Sequence, residues 1–217
     1  MTGHVYIVDD DDRFRDSLCA LIGSVGLQAE GWGDPEVFLK KANLNRPGCV
    51  VLDNRLPSLS GLEVLRLLRQ KSSMPAILIS AYADVQTTVA AMEMGAATVF
   101  EKPLDDNTFL NRLERYCFED QQWVLKRRNC EAIQAKIARL TETERTVLDQ
   151  LRLGLSNKAI ARNLSKSLKA IERQRQNVVR KLDCHCAMEA MQKVQACPLQ
   201  AAMPLTCSGE TCPACFG

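Results

Sequence analysis

The sequence predicts an α/β domain built on a doubly wound, five-stranded parallel sheet, followed by a separate all-α helix-turn-helix domain. Two patterns carry this expectation. Short apolar runs alternate with amphipathic segments up to about residue 104, and after residue 105 helix-forming segments follow without strands until an aperiodic stretch begins near Cys197. Charge divides in the same place. Residues 1–120 carry 12 Lys and Arg against 18 Asp and Glu, a net −6, whereas residues 121–217 carry 16 against 8, a net +8. The overall +2 is therefore a cancellation, as expected of an acidic module joined to one that meets a polyanion.

Taken in order, His4–Val8, Leu27–Trp32, Cys49–Leu52, Ala76–Ile79 and Thr98–Phe100 read as strands, being short and mostly apolar. Between them, 13–25, 35–42, 61–70 and 84–94 place apolar residues at helical spacing, as in Leu62, Leu65 and Leu68. Strict alternation implies a parallel sheet with helices on both faces, and such sheets bind ligands outside the carboxyl ends of their strands. No Pro or Gly interrupts the chain between Asp105 and Gly154, so 105–139 can run as one helix about 50 Å long. On it Ile133, Ile137 and Leu140 form a stripe that would suit a short coiled-coil contact. Thr141 and Glu144 have capping-box spacing and open a helix over 142–153 that ends at Gly154. Ser156 then caps 157–164 and Ser167 caps 168–181, and short helices joined by tight turns describe a helix-turn-helix. The expected divisions are 1–118, a helical linker at 119–139, a second domain at 140–196 and a Cys-rich tail at 197–217.

Composition excludes several classes. With 46% hydrophobic and 25% charged residues the chain has material for packed cores. No apolar run approaches the roughly 20 residues of a membrane helix. Asp9 to Asp12 arrive before a secretory signal could form, so a cytoplasmic protein with no membrane partner is expected.

The chemistry lies at the strand ends. Asp9 and Asp10 follow the first strand, Asp53 the third, Ser80 the fourth, and Lys102-Pro103 the fifth. Gathered carboxylates suit Mg²⁺, a hard cation that takes a few carboxylate oxygens and keeps waters. A carboxylate such as Asp53 can attack a phosphoryl group, with the Ser80 hydroxyl and the Lys102 ammonium facing the transferred charge. Each piece alone is an ordinary turn or helix start, but their order along five strand ends is not. Together with Asp53-Asn54-Arg55-Leu56-Pro57, Gly61 and Ser80-Ala81-Tyr82-Ala83-Asp84, residues 1–118 resemble the CheY-like receiver domain of two-component response regulators. The resemblance implies that Asp53 accepts phosphate from a sensor histidine kinase, and that Asp10, Asp53 and the Arg55 carbonyl hold Mg²⁺ directly with Asp9 acting through water. It further implies that Ser80, Ala81 and Lys102 bind the phosphoryl group, that the Lys102-Pro103 bond is cis, and that Arg55 and Tyr82 flank the acyl phosphate and slow its hydrolysis.

Residues 140–182 resemble the LuxR/NarL/FixJ type of DNA-binding domain through Leu140-Thr141, Val147-Leu148, Gly154-Leu155-Ser156-Asn157-Lys158, Ile160-Ala161, Ile171-Glu172 and Lys181-Leu182. A polar helix face of this kind lies in the major groove of double-stranded DNA. Glu172, Arg173 and Gln176 occupy the base-reading positions, where Arg suits guanine, Gln adenine and Glu cytosine. Lys158, Lys166, Lys169, Arg175 and Arg180 are assigned to phosphates, which position the helix without specifying sequence, and Ser167 is counted with them as a DNA-binding residue. The combined resemblance implies a homodimer on phosphorylation, formed around the fourth helix and fifth strand, and contact with RNA polymerase.

The sequence departs from the family at Val99, where an aromatic or His switch residue is usual, and at Ala170 and Gln174 in the second domain. Phe100 cannot substitute, because adjacent strand residues face opposite sides. Two other readings stay open. One is a Mg²⁺-dependent phosphohydrolase acting through Asp53, although Arg55 stands where such enzymes place a second Asp. The other is a metal- or redox-responsive regulator. Six of the ten cysteines fall in the last 34 residues, and Cys212-Pro213-Ala214-Cys215 has the spacing for one tetrahedral Zn²⁺, with Cys207 or Cys197 and His185 completing the set. The same spacing also suits a reversible redox pair, and the segment reads as readily as an inert tail.

Overall fold

A computed structural model describes residues 3–195. The chain divides into two compact units, one through Val124 and one from Leu125. In the first, strands β1 (His4–Val8), β2 (Gln28–Trp32), β3 (Gly48–Asp53), β4 (Ala76–Ser80) and β5 (Thr98–Glu101) alternate with helices α1 (Asp12–Ser24), α2 (Pro35–Lys41), α3 (Gly61–Arg69) and α4 (Val85–Glu93). All strands are parallel, in the order β2-β1-β3-β4-β5. Local chemistry sets the helix starts. Asp11 and Asp34 each accept two backbone amides, Asp84 accepts Thr87 N, and Ser60 with Glu63 forms a capping box.

Strand alternation sorts the sheet into two cores. Val5, Ile7, Cys49, Val51, Ile77 and Ile79 face one side, where they meet Leu18 and Ile22 of α1 and Phe109, Leu113 and Cys117. Tyr6, Val8, Val50, Leu52, Ala76 and Leu78 face the other, against Phe38 of α2, Val64, Leu65 and Leu68 of α3, and Ala91 of α4. Val99 packs on this second side, while Phe100 packs on the first, 5.5 Å edge-to-face from Phe109. The two residues of β5 therefore face opposite ways, and Phe100 does not stand in for the missing switch aromatic.

Helix α5 (Asp106–Ala138, 33 residues) runs as one element. Its early turns close the first core, and the buried Asp120 accepts the Gly48 amide at 2.8 Å. In the second unit the stripe expected to favour a coiled coil is used internally: Ile133, Ile137 and Leu140 pack with Leu148, Val178 and Leu182. Helices α6 (Glu142–Arg152), α7 (Asn157–Asn163) and α8 (Leu168–Lys181) start at Thr141, Ser156 and Ser167, each accepting the amide three residues on. Gly154, at φ +75°, ends α6 with a backbone that side-chain-bearing residues avoid. A further helix, α9 (Ala187–Gln195), lies where the sequence suggests no element. Ala187, Ala190 and Val194 bury its inner face at helical spacing, and the missed start has a reason: Cys186, not Ser, Thr or Asp, presents its sulfur to Glu189 N at 3.5 Å.

Candidate functional site

The parallel sheet brings Asp9, Asp53, Ser80 and Lys102 to one end, since each residue terminates or follows a strand. Asp53 is 8% and Asp9 3% exposed, so both carboxylates are largely withdrawn from water. Lys102 bridges them, with Nζ 2.8 Å from Asp53 Oδ1 and 3.0 Å from Asp9 Oδ2. Its ammonium also stands 3.8 Å from the centroid of the Phe14 ring, a cation–π contact. Burial pulls the Lys102 pKa down, but hydrogen bonds and charge from Asp53 and Asp9 outweigh it, and the net shift is upward. Burial pushes the Asp9 pKa up, against the opposing bonds from the Asp11 amide and Lys102. The site is therefore a balance of two buried carboxylates against one cation, with anionic charge left to compensate.

The remaining Asp53 oxygen, Oδ2, accepts the backbone amide of Arg55 at 2.6 Å. Gly61 lets the chain close behind this loop: a Cβ there would lie 2.4 Å from the Asp53 carbonyl oxygen. The Ser80 hydroxyl donates to the Tyr82 carbonyl at 2.8 Å, so its proton is held inside its own turn. Arg55 and Tyr82 meet above these loops, with the guanidinium carbon 5.3 Å from the ring centroid and Tyr82 69% exposed. The Lys102–Pro103 peptide is cis.

Asp10 is exposed, and the three carboxylates do not converge as a ready-made cluster. Among the described residues, no group of three or more His, Cys, Asp or Glu side chains is arranged to hold a metal ion. For Mg²⁺ this is no obstacle, since one or two carboxylates with waters and phosphate oxygens suffice. The proposed zinc and redox residues Cys207, Cys212 and Cys215, with Cys197, lie outside the described residues.

In the second unit, Lys158, Lys166, Ser167, Lys169, Glu172, Arg173, Gln176 and Arg180 are all exposed, most of them along α8. Arg175 differs from the phosphate-binding expectation: it is half-buried and donates to Asn157 Oδ1 at 3.0 Å, which ties α8 to the first residue of α7. Glu172, Gln176 and Arg180 also line an open groove together with Cys184, His185 and Cys186. The sequence reasoning passed over Phe14 and Arg15, which the structure places against this strand-end site. Neither carries a signal in the sequence: Arg15 follows the acidic run Asp9 to Asp12 only after Arg13 and Phe14, and reads as an ordinary basic residue near a helix start.

Comparison with known proteins follows this division. Residues 5–114 match the family described as response regulator receiver domain, and residues 138–194 that described as bacterial regulatory proteins, luxR family. The chain is 35% identical to the transcriptional regulatory protein FixJ of Bradyrhizobium diazoefficiens over 86% of its own length and 92% of that protein's. It is 31% identical to the response regulator protein TodT of Pseudomonas putida, over 82% and 79% of the two lengths. Among solved structures, the response regulator StyR aligns at a TM-score of 0.81 and 29% identity over 90% of this chain and 99% of that one. Full-length FixJ from B. japonicum aligns at 0.54 and 34% identity over 92% and 98%. These matches leave the phosphohydrolase reading without support. The chain belongs to the response regulators that join a receiver domain to a LuxR-family DNA-binding domain and regulate transcription.

Proposed function

We propose that Asp53 is the phosphoacceptor and that its phosphorylation, supplied by a sensor histidine kinase, controls DNA binding by α8. The observation that carries this reading is the Lys102 ammonium bridging buried Asp53 and Asp9 at the end of a parallel sheet. In the transfer, an Asp53 carboxylate oxygen forms a bond to phosphorus while the bond from phosphorus to the donor's leaving group breaks. Lys102 is placed to exchange its Asp53 contact for a phosphoryl oxygen, and the Ser80 hydroxyl to leave the Tyr82 carbonyl for another. The Ala81 amide follows in the same turn. Asp9, Asp10, Asp53 and the Arg55 carbonyl offer the hard oxygen donors that Mg²⁺ requires, and the bound cation would neutralise charge on the transferred group. The paired Arg55 and Tyr82 side chains support slow hydrolysis of the acyl phosphate by limiting water's approach. A lifetime of seconds would contradict that part.

Incubation with acetyl phosphate and Mg²⁺ is expected to add one phosphoryl group by mass spectrometry, and Asp53→Ala to abolish the addition. Equal labelling of the variant would refute the assignment. Dimerisation on phosphorylation is supported by the exposed apolar stripe Val85, Val89 and Met92 along α4, which monomers gain by covering. Paired copies would then read two half-sites, because one recognition helix buries little surface. RNA polymerase is the partner that a transcription regulator of this organisation would engage once bound.

A further inference from the structure

We propose that Arg15 is a positioning residue for the divalent cation, acting through the backbone of Asp9. The inference rests on the reading of the strand-end site as a Mg²⁺-assisted phosphoacceptor. Asp9 is gripped from several directions. Its amide donates to the Trp32 carbonyl at 3.1 Å, its Oδ1 accepts the Asp11 amide at 2.9 Å, and its carbonyl accepts Arg15 Nη1 at 2.8 Å. The other end of the same guanidinium, Nη2, pairs with Asp12. One side chain on the first turn of α1 thus fixes the peptide that joins Asp9 to Asp10.

The end of β2 is shaped to receive it. A Cβ at position 31 would lie 2.9 Å from Arg15 Cδ, and one at position 33 would lie 3.1 Å from Nη1, so Gly31 and Gly33 form a slot in which the side chain lies. Only 16% of the Arg15 side chain is exposed. A guanidinium held in a slot and hydrogen-bonded at both ends loses little further freedom when it acts, and it holds the loop against rotation. Mg²⁺ demands near-ideal octahedral geometry, so a small rotation of the Asp9–Asp10 peptide degrades the ligand set.

Electrostatics gives the opposite expectation, which makes the inference testable. A cation beside an acidic cluster repels a divalent metal, so on charge alone removal of Arg15 tightens Mg²⁺ binding. A purely structural role would lower stability and leave the affinity of the folded protein unchanged. Positioning predicts weaker binding, in the range of tenfold typical when a residue supporting metal ligands is lost.

The experiment is calorimetric titration of Mg²⁺ into the full chain, wild type and variants, with circular dichroism to confirm folding. Arg15→Met keeps the aliphatic stem in the slot and is expected to weaken Mg²⁺ affinity about tenfold. Arg15→Lys, which keeps a donor for the Asp9 carbonyl, is expected to recover most of it. Gly31→Ala retains Arg15 but fills the slot, and is expected to weaken binding in the same direction, so a result survives if Arg15→Met fails to fold. Unchanged or tighter Mg²⁺ binding in folded Arg15→Met, or in Gly31→Ala where only that variant folds, overturns the inference while leaving the phosphoacceptor reading intact. Absence of Mg²⁺ binding by the wild type overturns that reading and the inference with it.

Discussion

Single side chains divide the labour in the second unit. Arg173 and Gln176, expected to read bases, are exposed on α8, whereas Lys169, expected to hold a phosphate, stands at its start near the cap Ser167. Arg173→Ala is expected to cost about 1–3 kcal/mol of binding and relax one operator position, while Lys169→Ala weakens all sequences alike and flattens the salt slope by about one. Fluorescence anisotropy across a salt series with cognate and mutated operators distinguishes them. Glu144 is structural. It is buried, accepts the Thr141 amide at 2.8 Å and meets Lys181 Nζ at 2.5 Å, so it binds the start of α6 to the end of α8. Burial alone raises its pKa, but Lys181 and Thr141 outweigh it and hold the carboxyl below its ordinary 4.5. A depressed folded pKa gives stability that is complete above 4.5 and lost as pH falls through the folded value. Glu144→Gln is therefore expected to cost roughly 3 kcal/mol at neutral pH, the low end for a broken buried pair because Lys181 keeps access to water. The difference should shrink well below pH 4.5, as thermal melts at the two extremes would show. Cys117 is equally determined by its surroundings, since burial and the neighbouring Asp120 and Glu114 push its thiol up to about 12. Alkylation of the native protein should spare Cys117 and Cys49, both buried, and label exposed Cys186, as peptide mapping would show.

At the scale of elements, the strands and caps were legible because they rest on neighbours in sequence. Alternation gave the two sheet faces, apolar spacing gave the first unit's helices, and the caps Thr141, Ser156 and Ser167 gave the second unit's, with starts that the structure reproduces within a residue or two. Helix α9 was not legible, because its cap is a cysteine and its buried face is made of Ala187, Ala190 and Val194, small residues that carry little periodic contrast. The stripe on α5 was legible as a stripe but not as to its partner: Ile133, Ile137 and Leu140 find theirs in α6 and α8, and sequence spacing names no partner. Helix α4 is the reverse case. Its weak pattern leaves Val85 78% exposed, with Val89 and Met92 on the same face. Val89→Asp is expected to suppress dimerisation under phosphorylating conditions without unfolding the sheet, because the residue adds nothing to either core. Analytical ultracentrifugation with acetyl phosphate tests this, and an unaltered dimer would move the interface elsewhere.

For the molecule as a whole, the question is how phosphorylation of one unit alters DNA binding by the other. Val99 packs in the core beneath α4, and Phe100 is committed to the opposite face, so no aromatic side chain of β5 is free to report on Ser80. Coupling is accordingly expected at the low end for two-site systems, about fivefold in DNA affinity between untreated and acetyl-phosphate-treated protein, with substantial binding by Asp53→Ala. A gain of about a hundredfold would show that another device replaces the aromatic. The sequence by itself determined the architecture, the strand-end carboxylates, hydroxyl and lysine, and the exposed basic helix, because these depend on periodicity, capping and residue type at fixed positions along the chain. Only the tertiary structure decided which of those groups meet. It set Lys102 between Asp9 and Asp53, drew Arg175 into the seam with Asn157, and laid Arg15 across Gly31 and Gly33 to grip the Asp9 carbonyl. The physical reason is that each of these contacts joins residues from different elements. Their distances are set by how strands and helices pack, a quantity that no local pattern of residues encodes.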